Sequence, residues 1–389
     1  MNKLISILGS TGSVGESTLS IIDLKKNYFR PYIFSANKNY KLICKQIKKY
    51  RPKIFVIKNL NTFNKVSKRY KKSKIKFYKD FDSIKIKSKS DITVSAIPGI
   101  AGLYPTLKMT ELSKKILLAN KESIICGWDL ILKKSKKYQT KLVPIDSEHY
   151  SILKLLENQK IKSIKKIYLT ASGGPFLNFN ISRLKKITPA QALRHPKWKM
   201  GKKISIDSST LMNKMLELIE AQKLFNLSTN KVDIIIHPNS LVHAILELKN
   251  GIMKLIYHET SMKIPLANAI FNGNLDINQF HKTKNSFRFE NLIFKKVDKK
   301  IFPIIKLKNI MTKYPSTPII VNAANEVLVS HFLSKKIPFL DIYKFILAIL
   351  KDSNYKKYAI KKPTTIDQIN TIDLWARATT IKKVKKKYA

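Results

Sequence analysis

Cysteine is nearly absent from this chain of 389 residues, where Cys44 and Cys126 are the only two. They allow no disulfide framework and no Cys-rich metal centre, and a reducing cytoplasm is the simplest setting for such a chain. Arginine is scarce too, with seven residues against a combined Lys and Arg count of 75. Base readers and phosphate clamps favour the planar guanidinium. A net charge of +50 made almost wholly of lysine, spread over the whole length, therefore reads as compositional drift toward Lys, Ile and Asn. The expectation is no nucleic-acid partner, although such a surface attracts small anions. Long apolar runs are also missing. None approaches the roughly 18–20 residues of a membrane span, so no membrane segment is expected. The N-terminal residues Met1 to Leu8 are too short for a signal segment and read as a first strand.

What the chain does have is alternation. Short apolar runs at residues 4–8, 32–36, 53–57, 91–96, 116–119 and 141–145 are separated by helix-like segments. That pattern predicts βαβ units and a mostly parallel sheet. Ligands in such sheets bind at the carboxyl ends of strands. After the first strand comes Gly9-Ser10-Thr11-Gly12-Ser13-Val14-Gly15, a Gly-rich turn into a helix expected over residues 16–24. Glycines let the backbone approach a pyrophosphate, and the helix N-terminus favours its charge. The second strand ends in Ala36-Asn37-Lys38-Asn39, with no acid to hold a ribose 2′-hydroxyl. Lys38 suits a 2′-phosphate instead, so NADPH is expected over NADH. Two more strand ends carry Ser95–Gly102-type small residues and Asn120-Lys121-Glu122-Ser123.

The densest set of polar ligands is Asp146-Ser147-Glu148-His149. If the strand continues there, residues at i and i+2 point the same way, and both carboxylates face one divalent cation. Oxygen ligands suit Mg²⁺ or Mn²⁺. The same residues also read as an ordinary helix N-terminus. Beyond His149 the pattern turns α+β. Strands are expected at 167–171, 203–207, 233–236, 244–248 and 252–257, the last two joined by Lys249-Asn250-Gly251. Ser172-Gly173-Gly174-Pro175-Phe176 is a turn suited to phosphate or sugar oxygens. His195-Pro196-Lys197-Trp198-Lys199-Met200-Gly201 reads as a mobile flap or as a loop anchored by its aromatic. On a helix expected from Ser209 or Thr210 to about Phe225, Asn213 and Glu217 share a face, with Lys214 beside them. That patch serves a metal and a phosphate, or is a solvated ion pair. His237 and His243 lie near strand ends. A Lys/Asn-rich linker from about residue 274 leads to helices at 301–312, 318–335, 338–351 and 371–387.

The motifs at residues 9–15, 118–123, 144–149, 172–176, 195–201 and 208–217, with Asn322-Ala323-Ala324-Asn325-Glu326, occur in this order in 1-deoxy-D-xylulose 5-phosphate reductoisomerases. The chain resembles that family over essentially its whole length. The resemblance implies an α/β fold with an N-terminal Rossmann-like NADPH-binding domain (1–146), a central α+β catalytic domain (147–273), a linker (274–300) and a C-terminal helical bundle (301–389). It implies a cytoplasmic homodimer using NADPH and Mn²⁺ or Mg²⁺. The implied reaction turns the phosphorylated sugar 1-deoxy-D-xylulose 5-phosphate into 2-C-methyl-D-erythritol 4-phosphate, by fragmentation and recombination followed by reduction, on the non-mevalonate route to isoprenoid precursors. The implied metal ligands are Asp146, Glu148 and Glu217. Thr11, Gly12, Ser13, Val14, Asn37, Lys38, Asn39, Asn120, Glu122 and Gly201 match NADPH contacts. Lys121, Ser147, Glu148, Ser172, His195, Ser208, Asn213, Lys214 and Glu217 match substrate contacts, and His149 and His243 match supporting histidines. The family often has Gly where Asn37 stands, and the segment after His149 is shorter than in longer relatives.

Overall fold

Near-continuous apolar runs make strands that can be buried on both faces, and parallel sheets require that. The computed structural model describes residues 2–198, 200–281 and 291–388. It divides into two compact units. One comprises residues 1–123, 128–150 and 261–286, and the other residues 124–127, 151–260 and 287–389.

The first unit holds seven strands: β1 (Lys3–Leu8), β2 (Phe29–Ala36), β3 (Ile54–Ile57), β4 (Lys76–Tyr78), β5 (Ile92–Ser95), β6 (Lys115–Leu118) and β7 (Lys141–Pro144). Their order is β4-β3-β2-β1-β5-β6-β7, and every pairing is parallel. The order reverses between β1 and β5, the switch point at which doubly wound sheets bind nucleotides. Ile5, Ile7, Ile33, Phe34, Phe55 and Val94 form its core. The half-buried β4 lacks an apolar run and was not expected from the sequence. Helix α1 (Ser13–Leu24) follows β1, and α2 (Tyr40–Tyr50) follows β2. Asn39 caps α2 by accepting a hydrogen bond from the Leu42 N–H at 3.2 Å. Helix α3 (Lys121–Tyr138) is kinked at Gly127, and α4 (Ser147–Leu155) begins directly behind β7.

The second unit is built on β8 (Ile164–Ala171), β9 (Val232–Ile236), β10 (Val242–Leu248), β11 (Met253–Tyr257) and β12 (Lys295–Lys296), in the order β11-β10-β8-β9-β12. β8 and β9 run parallel, and the other pairings are antiparallel. The strand expected over 203–207 is instead part of a helix, α5 (Lys202–Thr210). Ile204 and Ile206 alternate as in a strand, but the hydroxyls of Ser209 and Thr210 donate back to the Ile206 carbonyl, at 2.7 and 3.3 Å, and stay satisfied within a helix. Helix α6 (Met212–Phe225) follows after Leu211, which adopts a left-handed φ of 62°. The helix expected over 301–312 is broken into a 3₁₀ segment, Pro303–Leu307, and the short turn Lys308–Met311. Of the expected linker, residues 282–290 lie outside the described residues. The C-terminal part is helical, with α7 (Thr317–Leu333) almost wholly buried and α8 (Ile366–Tyr388) packed along it. Among the described residues no helix is long and apolar enough to cross a membrane.

The Gly-rich turn is closed by its own backbone. A Cβ on Gly15 would sit 2.5 Å from the Gly9 carbonyl oxygen and 2.7 Å from Ser10 Cα. Both obstacles are main chain and cannot rotate away. Gly15→Ala is therefore expected to cost about 1–3 kcal/mol, the usual range for overpacking a tight site. Thermal or urea unfolding checks this, and an unchanged midpoint would show that the turn is looser than its geometry.

Candidate active site

The residues expected to meet a nucleotide stand at the strand ends of the first unit. Gly12 is the N-cap of α1 and makes no side-chain cap, so the first N–H groups of that helix face outward. Thr11 and Val14 are half-buried there, and Gly12 and Ser13 are exposed. Asn37, Lys38 and Asn39 are all exposed at the end of β2. The side-chain oxygen of Asn39 is occupied by the α2 cap. Asn120 is more constrained. Its Oδ1 accepts from Ser123 N–H at 2.5 Å, and its Nδ2 donates to the carbonyls of Ile97 and Gly99, the latter at 3.0 Å. The side chain thus pins the small-residue loop at 97–102 to the start of α3, a role its motif did not reveal. Glu122, next on α3, is buried.

The acidic stretch behind β7 is not extended. Asp146 lies just beyond β7 and accepts the first helical hydrogen bond, Tyr150 N–H to its carbonyl at 2.8 Å, while Ser147 and Glu148 begin α4. The two carboxylates therefore reach the same end of a helix rather than one face of a strand. Glu148 N–H lies 3.4 Å from Asp146 Oδ1, and Ser147 Oγ donates to Glu148 Oε2 at 2.5 Å. Lys121 Nζ lies 3.2 Å from Asp146 Oδ2, and the fully buried His149 places Nδ1 3.6 Å from Asp146 Oδ1. Burial works to raise the Asp146 pKa, but the Lys121 ammonium and the His149 ring outweigh it and hold the carboxyl well below its usual range. Asp146 is thus ionised at neutral pH, as an oxygen ligand for a hard cation must be.

The second unit holds the residues expected to meet a phosphate. Ser172 follows β8, and Ser172 Oγ and His195 Nε2 are 3.1 Å apart. The N–H groups of Lys197 and Trp198 both point at His195 Nδ1, at 3.2 and 2.9 Å. Nδ1 is therefore the acceptor, which leaves the ring proton on Nε2, donated to Ser172. Burial and the Lys214 charge push the His195 pKa down to about 4, so the ring is neutral near pH 7. Trp198 is half-buried and meets His243 edge-on, ring centres 6.2 Å apart; His243 stacks on His258 at 3.8 Å. Lys199, within the expected flap, lies outside the described residues. Gly201 is the exposed N-cap of α5, with open space where a Cβ would be.

Ser208 lies in the last turn of α5, and Asn213 and Lys214 in the first turn of α6, on either side of the left-handed Leu211. The loop after β8 touches this joint, since a Cβ on Gly174 would be 3.0 Å from the Ser208 carbonyl. The Ser208 hydroxyl, the Asn213 amide and the Lys214 ammonium therefore lie on the two short stretches that flank this joint, polar groups of the kind that can hold an anion. Glu217 is buried, bonded by Asn213 Nδ2 and, at 2.7 Å, by Lys214 Nζ. Reading the sequence alone did not single out Glu220, also buried on α6, or Asp207 and Asn325, whose side chains bond at 2.7 Å. Glu220 follows Glu217 by three positions, a signal that was present. Nothing local linked residues 207 and 325.

Comparison with known proteins covers the chain from end to end. The family model of 1-deoxy-D-xylulose 5-phosphate reductoisomerase matches residues 5–127, that of its C-terminal domain residues 142–225, and that of the DXP reductoisomerase C-terminal domain residues 258–379. The chain is 43% identical over 376 residues to the 1-deoxy-D-xylulose 5-phosphate reductoisomerase of Pelagibacter ubique, spanning 95% of this chain and 97% of that one. To the protein of that name from Clostridium novyi it is 40% identical over 350 residues, 88% and 91% of the two chains. Among solved structures it is similar to a DOX-P reductoisomerase in complex with NADPH, fosmidomycin and magnesium (TM-score 0.91, 32% identity, 98% of both chains). It is similar also to the enzyme of Zymomonas mobilis in complex with NADPH (TM-score 0.88, 30% identity, 99% of both).

The His195 arrangement has a consequence for stability. Its folded pKa of about 4 lies below the ordinary histidine value of 6.5. The folded state therefore resists a proton that the unfolded chain accepts. Its contribution is fully present above pH about 6.5 and is lost as pH falls toward about 4. Urea denaturation from pH 7.5 to 4.5 should show wild type losing more stability than His195→Gln; parallel curves would contradict the neutral-ring assignment.

Proposed function

The chain belongs to the 1-deoxy-D-xylulose 5-phosphate reductoisomerase family, and on that premise we propose which of its residues carry the NADPH- and metal-dependent conversion of 1-deoxy-D-xylulose 5-phosphate. Asp146, Glu148 and Glu217 are the metal ligands. The observation that carries this is the state of Asp146, a carboxylate kept ionised by Lys121 at the head of a helix. The donor set is all oxygen, which fits Mg²⁺ or Mn²⁺ and not a thiolate metal. When bound, the cation supplies Lewis acidity to the carbonyl and hydroxyl oxygens of the substrate, and NADPH supplies hydride.

The chain's own groups do the rest. Ser172, Ser208, Asn213 and Lys214 hold the phosphate, and neutral His195 orients the Ser172 hydroxyl toward it. That binding energy lies away from the reacting carbons and is spent on orienting them. Lys121, Ser147 and Glu148 face the substrate, with His149 and His243 in support. Thr11, Gly12, Ser13 and Val14 meet the pyrophosphate of NADPH, with the first α1 N–H groups, those of Ser13 and Val14, aimed at it. Exposed Asn37 and Lys38 meet its 2′-phosphate, together with Asn39, while Glu122 and Gly201 line its path. Asn120 acts through the loop it pins.

A second copy completes the assembly in this reading. Met253, Leu255 and Tyr257 alternate on one face of the edge strand β11 and are 58%, 42% and 37% exposed. An apolar edge strand left open invites pairing with another chain, and a cytoplasmic homodimer covers it. Light scattering at micromolar concentration should give twice the chain mass for wild type, and a single chain mass for Leu255→Lys. A wild-type monomer would exclude the dimer.

The ligand assignment is tested at Asp146. Asp146→Asn keeps size and hydrogen bonding and removes the charge. It should cut kcat by about a hundredfold or more, as loss of a group acting mainly in the transition state does. NADPH affinity, read by fluorescence titration, should stay within about twofold. Unchanged turnover at limiting metal would remove Asp146 from the ligand set.

A further inference from the structure

Asp207 sits one residue before Ser208 and is 1% exposed, a buried carboxylate beside the donors assigned to the phosphate. An uncompensated anion there would repel the substrate. Two groups answer it. Lys203 Nζ, one turn back on α5, lies 2.9 Å from Asp207 Oδ2. Asn325 Nδ2, from the middle of α7, donates to Oδ1 at 2.7 Å. Asn325 is itself 0% exposed, so its amide has no solvent to turn to. Its helix is not free to follow. Arg377 of α8 makes a bond to the next residue, Glu326, while also holding Asp373 at 2.6 Å. Asn325 is therefore a fixed point against which the end of α5 is set.

The end of α5 needs setting. Leu211 carries a φ of 62° without being glycine, a conformation that surrounding contacts must hold in place. Ser208, Asn213 and Lys214 keep their mutual placement only while that joint holds. On one side it touches the loop carrying Ser172, through Gly174. On the other it is bonded through Asp207 to Asn325. We propose that Asn325 is a positioning residue of the phosphate subsite: acting through Asp207, it fixes the last turn of α5 and hence the direction of the Ser208 hydroxyl. This rests on Ser208, Asn213 and Lys214 being the phosphate donors. It also gives the C-terminal helices a task in substrate binding without any contact to substrate.

The test is steady-state kinetics with 1-deoxy-D-xylulose 5-phosphate and saturating Mg²⁺ and NADPH, with calorimetric titration of inorganic phosphate as a readout independent of turnover. Asn325→Ala leaves Asp207 Oδ1 buried without its donor. KM should rise about tenfold, the scale of one hydrogen bond to a charged group. kcat should fall by less than about threefold, phosphate binding should weaken in parallel, and NADPH affinity should hold. The exchange Asp207→Asn with Asn325→Asp restores an amide–carboxylate pair and should bring KM back to within about threefold of wild type. Ser208→Ala separates the two layers of the claim. If it leaves KM and phosphate affinity unchanged, the donor assignment fails and the proposal falls with it. If Ser208→Ala raises KM and Asn325→Ala does not, the donors stand and the positioning role is wrong. A raised KM that the exchange fails to rescue reduces Asn325 to a general stability role and also overturns the proposal. Should Asn325→Ala not fold, Lys203→Met removes the other arm at a partly exposed position and should shift KM the same way; no shift overturns the positioning role.

Discussion

A buried charge must be compensated where it sits, and this protein's chemistry is arranged around that requirement. Desolvating a carboxylate costs several kcal/mol unless a partner is fixed nearby. The chain meets the condition repeatedly with lysine. Lys121 holds Asp146, Lys214 holds Glu217, and Lys203 holds Asp207. Each pair sets a fixed counter-charge beside an acid that is withdrawn from solvent. Lys214 and Lys203 lie within one helical turn of their partners, so the pairing is set by local backbone. Lys121 and Asp146 come instead from neighbouring strand ends, β6 and β7, and their meeting is a product of the parallel sheet. In a chain so rich in lysine, the two lysines proposed for the site stand apart by burial: Lys121 and Lys214 are 7% and 8% exposed.

Much of the fold was legible because burial on both faces writes itself as uninterrupted apolar sequence. The runs expected at 4–8, 32–36, 53–57 and 116–119 became strands of the first sheet whose carboxyl ends fall within a residue of the expected ones, while β2 begins three residues earlier, at Phe29. Helix α5 was not legible. Alternating Ile204 and Ile206 imitate a strand, and only the packing of Ser205, Ile206, Asp207 and Ser209 into one interior decides for helix. Strand β4 was missed because Lys76, Phe77 and Tyr78 pair at an edge with little burial.

The site was legible as an inventory and less so as geometry. Asp146, Glu148, Asn213, Lys214 and Glu217 could be named from spacing and resemblance, yet the face shared by Asp146 and Glu148 was drawn on a strand that ends at Pro144. Asn120 read as a ligand contact, while its amide is spent on the Ile97–Gly99 loop and Ser123. Asp207 and Asn325 stand 118 residues apart, and no local pattern ties an amide to a carboxylate over such a span. What sequence withholds are the partners that fix a side chain, because those come from elsewhere in the chain.

The central claim is that carboxylate metal ligands and bound NADPH serve one reaction on a phosphorylated ketose. Its most direct measurement is NADPH oxidation followed at 340 nm with 1-deoxy-D-xylulose 5-phosphate, on metal-stripped protein, before and after adding Mg²⁺. The account predicts negligible oxidation without the cation, and rapid oxidation with it that consumes one NADPH per substrate. Oxidation at the same rate in excess EDTA would contradict it.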